Sequence, residues 1–133
     1  MSRSETLLQS VEEFYSQGTH AECLKDILEK RNGISLRNLE WFITNYSKKT
    51  NLSYTTTNGK RFTVHCAYKS SLDGYSKKLF DPFCRTEKIE FKIPNTDTTI
   101  QTTVAQLNFI KWCIKNNVIK YILEHKSDLL GKN

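Results

Sequence analysis

Proline is almost missing from this chain of 133 residues, and glycine is scarce: two prolines and five glycines are spread along its length. No stretch has the composition of a flexible linker, so the chain reads as a single domain, 1–133. No apolar run approaches the ~18 residues of a membrane span, which predicts no membrane partner. The opening "MSRSETLLQSVEEF" carries acidic residues and lacks an uninterrupted apolar segment. That predicts a protein that is not secreted. The four cysteines, Cys23, Cys66, Cys84 and Cys113, stand 43, 18 and 29 positions apart with no C-x-x-C. In a non-secreted chain they are expected to be reduced thiols packed as small apolar residues. The sequons at Asn45 and Asn51 are then chance matches. Also missing are a P-loop, G-x-G-x-x-G, G-x-S-x-G and H-E-x-x-H, so no enzyme and no cofactor is expected from motif content.

What the chain has is charge in one place. The net charge is +6. Residues 1–47 hold five basic and seven acidic groups, 48–92 hold ten and four, and 93–133 hold five and three. The whole excess therefore lies in the middle third. Clustering of this kind points to an anionic partner more strongly than a high overall pI does.

Hydrophobic periodicity supplies the elements. Leu7, Leu8, Val11, Phe14 and Tyr15 share one helical face up to Gly18. Thr19 and Glu22 have capping-box spacing ahead of Leu24, Ile27 and Leu28, and basic Lys30 and Arg31 precede Asn32-Gly33. Leu36, Leu39, Phe42, Ile43 and Tyr46 predict a third helix running to about Lys48. "LSYTTTNGKRFTVHC" (52–66) then reads as a hairpin about Asn58-Gly59. Tyr68, Leu72 and Tyr75 fit a short helix, weakened by Gly74. "KIEFKI" (88–93) alternates strictly as a half-buried strand, Pro94-Asn95 breaks it, and "DTTIQ" (97–101) returns. Thr103 and Gln106 form a second capping box opening a helix with Val104, Leu107, Ile110/Lys111 and Ile114 on its core face. Asn116-Asn117 separates it from a shorter helix from Val118. The fold class is α+β, with N-terminal helices, a small antiparallel sheet with an Asn-Gly hairpin, and a C-terminal helix pair.

The candidate site lies around "GYSKKLFDPFCRTEK" (74–88). Lys77, Lys78, Arg85 and Lys88 crowd there, Lys48 and Lys49 close the third helix, and Lys60 and Arg61 flank the hairpin turn. Tyr54, Tyr68, Tyr75, Phe80 and Phe83 are interleaved. Cations that release counterions from phosphates, beside rings that stack on bases, are the ingredients of nucleic-acid binding, with Tyr75 or Phe80 as the stacking residue. The plain reading stands beside it. Both "YSKK" copies (46–49, 75–78) suit the last turn of a helix, where lysines favour the dipole. Asp81-Pro82 suits an N-cap and first-turn proline, with Phe80 and Phe83 in the core. An acidic protein partner is the third possibility.

Other constellations are weaker. Asp81 with Glu90-x-Lys92 has the outline of a Mg²⁺-dependent nuclease, and period-2 geometry places Glu90 and Lys92 on one strand face. The ordinary alternative is a solvent-face ion pair. His20 with Cys23, and His65 with Cys66 on opposite faces of a strand, do not assemble zinc spacing, so no metal site is expected. The C-terminal pair has a helix-turn-helix outline. Its second helix offers only Lys120, His125 and Lys126 among Val118, Ile119, Tyr121, Ile122 and Leu123, which suits packing or a protein partner through Val104–Leu123 rather than base readout.

Two stretches, "AYKSSLDGYSKKLFDPFCRTEKIEF" (67–91) and "TTVAQLNFIKWCIKNNVIKYI" (102–122), resemble an uncharacterised group of small proteins of nucleocytoplasmic large DNA viruses. The resemblance covers about a third of the chain and carries over no catalytic motif. It implies a virus-encoded protein in the host cytoplasm or nucleus, or in the virion. Such a domain would bind DNA rather than RNA with low sequence specificity, in packaging or late gene expression. The rival expectation is a structural or assembly protein of the virion acting through viral protein contacts.

Overall fold

The computed structural model describes residues 3–31 and 33–125. Its elements run α1 (Arg3–Tyr15), α2 (His20–Leu28), α3 (Leu36–Trp41), a π-helical turn (Phe42–Tyr46), α4 (Ser47–Thr50), β1 (Ser53–Thr55), β2 (Arg61–Thr63), α5 (Val64–Tyr75), α6 (Lys77–Phe80), β3 (Ile89–Lys92), β4 (Thr99–Thr102), α7 (Val104–Lys115) and α8 (Val118–Glu124). The α+β class is thereby shown. The strands form two separate antiparallel hairpins, β1–β2 and β3–β4, rather than one sheet.

α7 is the axis of the domain. Ala105, Leu107, Asn108, Phe109, Ile110 and Cys113 are all buried, spanning more than one helical face. A helix apolar on several sides must be covered on several sides. α1 covers one, where Tyr15 is buried and its Oη donates to the Leu107 carbonyl at 2.7 Å. α6 covers another, held by Asn108 Nδ2 donating to the Leu79 carbonyl at 2.9 Å. The α7–α8 corner turns on Asn117 at φ 62°, a left-handed conformation that asparagine tolerates. Val118, Ile119 and Ile122 of α8 return to the core.

The capping signals divide. At Thr103 the hydroxyl accepts from the Gln106 N–H at 3.1 Å, while the Gln106 side chain donates to the Pro82 carbonyl at 3.0 Å instead of closing the box. Thr103→Ala should cost about 1 kcal/mol, read as a lower urea midpoint at constant slope. Thr19 makes no side-chain cap bond, and the complete box lies at Ser35 and Asn38. Lys30, at φ 56°, turns the chain out of α2. Asn32, expected in that turn, lies outside the described residues.

The third predicted helix contains the π turn. Thr44 Oγ1 donates to the Glu40 carbonyl at 2.8 Å, Thr50 Oγ1 to that of Tyr46 at 2.8 Å, and Ser47 Oγ to that of Ile43. Side-chain competition for backbone carbonyls loosens the regular ladder. The hairpin forms about Asn58-Gly59, with Tyr54 opposite Phe62 and Gly59 at φ 84°. Its second strand ends at Thr63, however. Val64, His65 and Cys66, expected to continue it, begin α5, because the buried Val64 and Tyr68 fall one helical turn apart against the core.

Candidate functional site

The eight basic residues singled out from the sequence, Lys48, Lys49, Lys60, Arg61, Lys77, Lys78, Arg85 and Lys88, are all exposed. Among the described residues, the ion pairs are those of Arg31 with Asp26 and Glu29, so none of the eight is neutralised by direct pairing. They are not held at one point. The β1–β2 hairpin is tied to the C-terminal end of α7, where Tyr54 Oη donates to the Asn116 carbonyl at 2.7 Å and the Thr57 N–H to Asn117 Oδ1 at 3.0 Å. The start of the 81–88 loop is tied to the first turn of α7 through Gln106 and the Pro82 carbonyl. A rise of 1.5 Å per residue puts those anchors on the order of 15 Å apart.

The "FDPF" segment corrects two expectations. Phe80 is fully buried, so it cannot stack on a base. It forms ring contacts at 5.7–5.8 Å with Tyr68, Tyr75, Phe109 and Trp112. Phe83, expected in the core, is 48% exposed. Asp81 caps the end of α6 rather than starting a helix, and its Oδ1 accepts from the Phe83 N–H at 2.9 Å. Lys77 and Lys78 lie in that one-turn helix, and the first "YSKK" copy closes at the end of α4. Tyr75 is half-buried, one face lying on Phe80 at an interplanar angle of 15°.

A better-formed arrangement lies along α3, the π turn and α4. Trp41, Thr44, Asn45, Lys48 and Lys49 line an open groove of ≈ 580 Å³. Trp41 is 42% exposed and lies off the apolar stripe that buries Leu39, Phe42 and Ile43. That displacement was the available sequence signal: a large ring outside the core positions, at i−4 and i−8 from Asn45 and Lys49's face. The His65 pKa lies below its ordinary value because of partial burial first, then the positive fields of Lys48 and Lys69. His65 therefore lies within the positive fields of a lysine of α4 and a lysine of α5.

His65 is consequently a local reporter. Its titration in the free protein, followed by NMR, should have a midpoint below the usual ~6.5. A lowered folded value means that its small stabilising effect is present above ~6.5 and fades as pH falls. A phosphate placed against Lys48 and Lys69 should reverse the shift, so anion binding should strengthen on acidification through that range.

The residues of the nuclease outline fall on two elements, Asp81 at the end of α6 and Glu90 and Lys92 on β3. Glu90 and Lys92 are on the exposed face of β3, with Phe91 buried between them. Asp81 exerts its field on Glu40 and Tyr68, and the Glu40 carboxyl is raised first by burial and then by Asp81. Among the described residues no group of three or more His, Cys, Asp or Glu is placed to hold a metal. His20 stacks on Phe14 at 4.0 Å, and burial raises the Cys23 thiol to about 11. All four cysteines are free thiols. In α8, Lys120 is exposed, His125 stacks on Tyr121 at 4.1 Å, and Lys126 lies outside the described residues. Along Val104–Leu123, Leu123 is the exposed large apolar side chain, and Trp112, Ile114 and Tyr121 pack half-buried against the core. Among the described residues, no helix is long and apolar enough to cross a membrane.

Comparison with known proteins decides the family. A family of unknown function, DUF7197, matches residues 2–131. The chain belongs to DUF7197. A curated relative, "Uncharacterized protein L507" of Acanthamoeba polyphaga mimivirus, is 44% identical over 106 residues, covering 74% of this chain and 41% of that protein. This DUF7197 chain therefore spans about two-fifths of the length of the relative it matches, and its resemblance to proteins of nucleocytoplasmic large DNA viruses is shown. No solved structure matches.

Proposed function

We propose that this DUF7197 domain binds nucleic acid with low sequence specificity. The observation that carries the reading is the groove in which exposed Trp41 stands beside Lys48 and Lys49. An exposed ring gives a base a face to stack on, and the lysines give its flanking phosphates a counter-charge. Lys60 and Arg61, and on the other anchor Lys77, Lys78, Arg85 and Lys88, extend the positive surface for a longer polyanion. Contacts of this type go to phosphates and ring faces, so affinity comes without base readout. DNA rather than RNA, and a place in packaging or late gene expression, fit a large DNA virus.

The test is binding of a single strand and a mixed-sequence duplex to wild type, Trp41→Ala and Lys48→Ala/Lys49→Ala. Loss of one stacking ring should weaken single-strand binding by about 1–3 kcal/mol, with less effect on the duplex. The double lysine variant should weaken both. Failure of wild type to bind either at low salt would end the proposal.

A further inference from the structure

A second hollow, on the opposite flank of α5, is built differently. β2, α5 and α7 enclose a cleft of ≈ 420 Å³ whose lining includes Phe62, Tyr75, Asn108, Lys111, Trp112 and Lys115. That volume is within the ~300–1,000 Å³ of small-molecule sites. Its rings are fixed from behind. Tyr75 lies flat on buried Phe80, and Trp112 meets Phe80 edge-on at 88° and Phe62 at 5.7 Å. Beyond Phe80, Tyr75 lines both this cleft and a hollow against Thr6, Leu7 and Ser10 of α1.

The cations at the rim are held together against their mutual repulsion. Lys111 and Lys115 are one helical turn apart on α7, a like-charge spacing that disfavours the helix. Burial, followed by the field of Lys115, lowers the Lys111 pKa, while Glu13 of α1 opposes the shift. Lys111 Nζ donates to Ser10 Oγ at 2.9 Å and lies 5.6 Å from the Phe14 ring centroid, so α1 fixes its position. Neither lysine has an ion-pair partner among the described residues. Asn108 is buried, and its amide nitrogen donates to the Leu79 carbonyl at 2.9 Å.

We infer that this cleft is a binding site for a nucleoside phosphate, with the base against Tyr75, Phe62 and Trp112 and the phosphate on Lys111 and Lys115. The inference deepens the nucleic-acid reading and rests on it for the strand form of the ligand. A free nucleotide and one unit of a single strand offer the same chemistry.

The test follows Trp112 fluorescence in a Trp41→Phe background, which leaves one tryptophan. Adenosine monophosphate should change the signal saturably, and adenosine or ribose 5-phosphate should bind at least tenfold more weakly. Lys115→Ala, at an exposed position, should weaken the monophosphate tenfold or more, and Lys115→Arg should restore most of it. An oligodeoxyadenylate that binds more than tenfold tighter than the monophosphate, with the same Lys115 dependence, identifies a strand unit as the occupant. Equal affinities identify the free nucleotide. The inference is overturned if the monophosphate produces no saturable change, or binds no better than ribose 5-phosphate or adenosine. If oligonucleotide binding then still depends on Lys48 and Lys49, the general reading stands without the cleft. If wild type, with Trp41 in place, also binds no oligonucleotide, both fall.

Discussion

Phe80→Ala is expected to remove about 3–5 kcal/mol of stability, the range for deleting a fully buried aromatic ring. The ring is completely inaccessible and contacts Tyr68, Tyr75, Phe109 and Trp112, so α5 and α7 close over it. α6 is only one turn long, and such a turn has little helical stability of its own. Its position depends on the ring it inserts. Against a total of about 5–15 kcal/mol for a domain, the loss is a large share. It should appear as a lower urea midpoint with unchanged slope. Phe83→Ala is the control: with half its surface in water, it should change stability by no more than about 0.5 kcal/mol. Equal effects of the two substitutions would show that the packing around Phe80 is not as described. The same deletion removes the backing of Tyr75, so it should also weaken nucleotide binding in the cleft.

The second large effect is on salt dependence. Each neutralised phosphate contributes roughly −0.9 to the slope of log affinity against log salt on duplex, and −0.7 on a single strand. A short strand occupying only the Trp41 groove meets Lys48 and Lys49, so two contacts give a slope of about −1.4. Between ~50 and ~200 mM salt that is a loss of about 7-fold. A duplex long enough to reach all eight basic residues should lose on the order of 10⁴-fold over the same range. Lys48→Ala/Lys49→Ala should flatten the slope by about 1.4 on a single strand and about 1.8 on duplex. Lys77→Ala/Lys78→Ala/Arg85→Ala should flatten only that of the long duplex, because those residues belong to the segment anchored at the far end of α7. A short strand that loses its slope with the second variant, and keeps it with the first, would move the contact surface to 74–88.

The elements that sequence conveyed well are those set by local periodicity or turn chemistry. α1, α2 and α7 follow the spacing of their apolar residues, the hairpin follows Asn58-Gly59, and β3 follows the alternation of Ile89, Phe91 and Ile93. Each is decided by neighbours within a few positions. The misplaced boundary at Val64 has the opposite origin. "TVHC" is β-branched and suits a strand, but the core position open to Val64 and Tyr68 favours a helix, and tertiary burial outweighs a propensity difference of well under 1 kcal/mol.

The site residues divide in the same way. Composition and order along the chain alone determined that positive charge is concentrated in residues 48–92 and that aromatic residues are mixed with it, since both are counts. Which rings meet water was decided by packing: Phe80 went inside, Phe83 stayed out, and Trp41, passed over in the sequence, came to stand beside Lys48 and Lys49. Lys111 read only as part of the core face of its helix, beside Ile110, and Lys115 carried no signal. They became a pair at a cleft only when α1, α5 and β2 closed around α7. Side-chain exposure and the meeting of distant segments depend on long-range contacts, which no local pattern encodes.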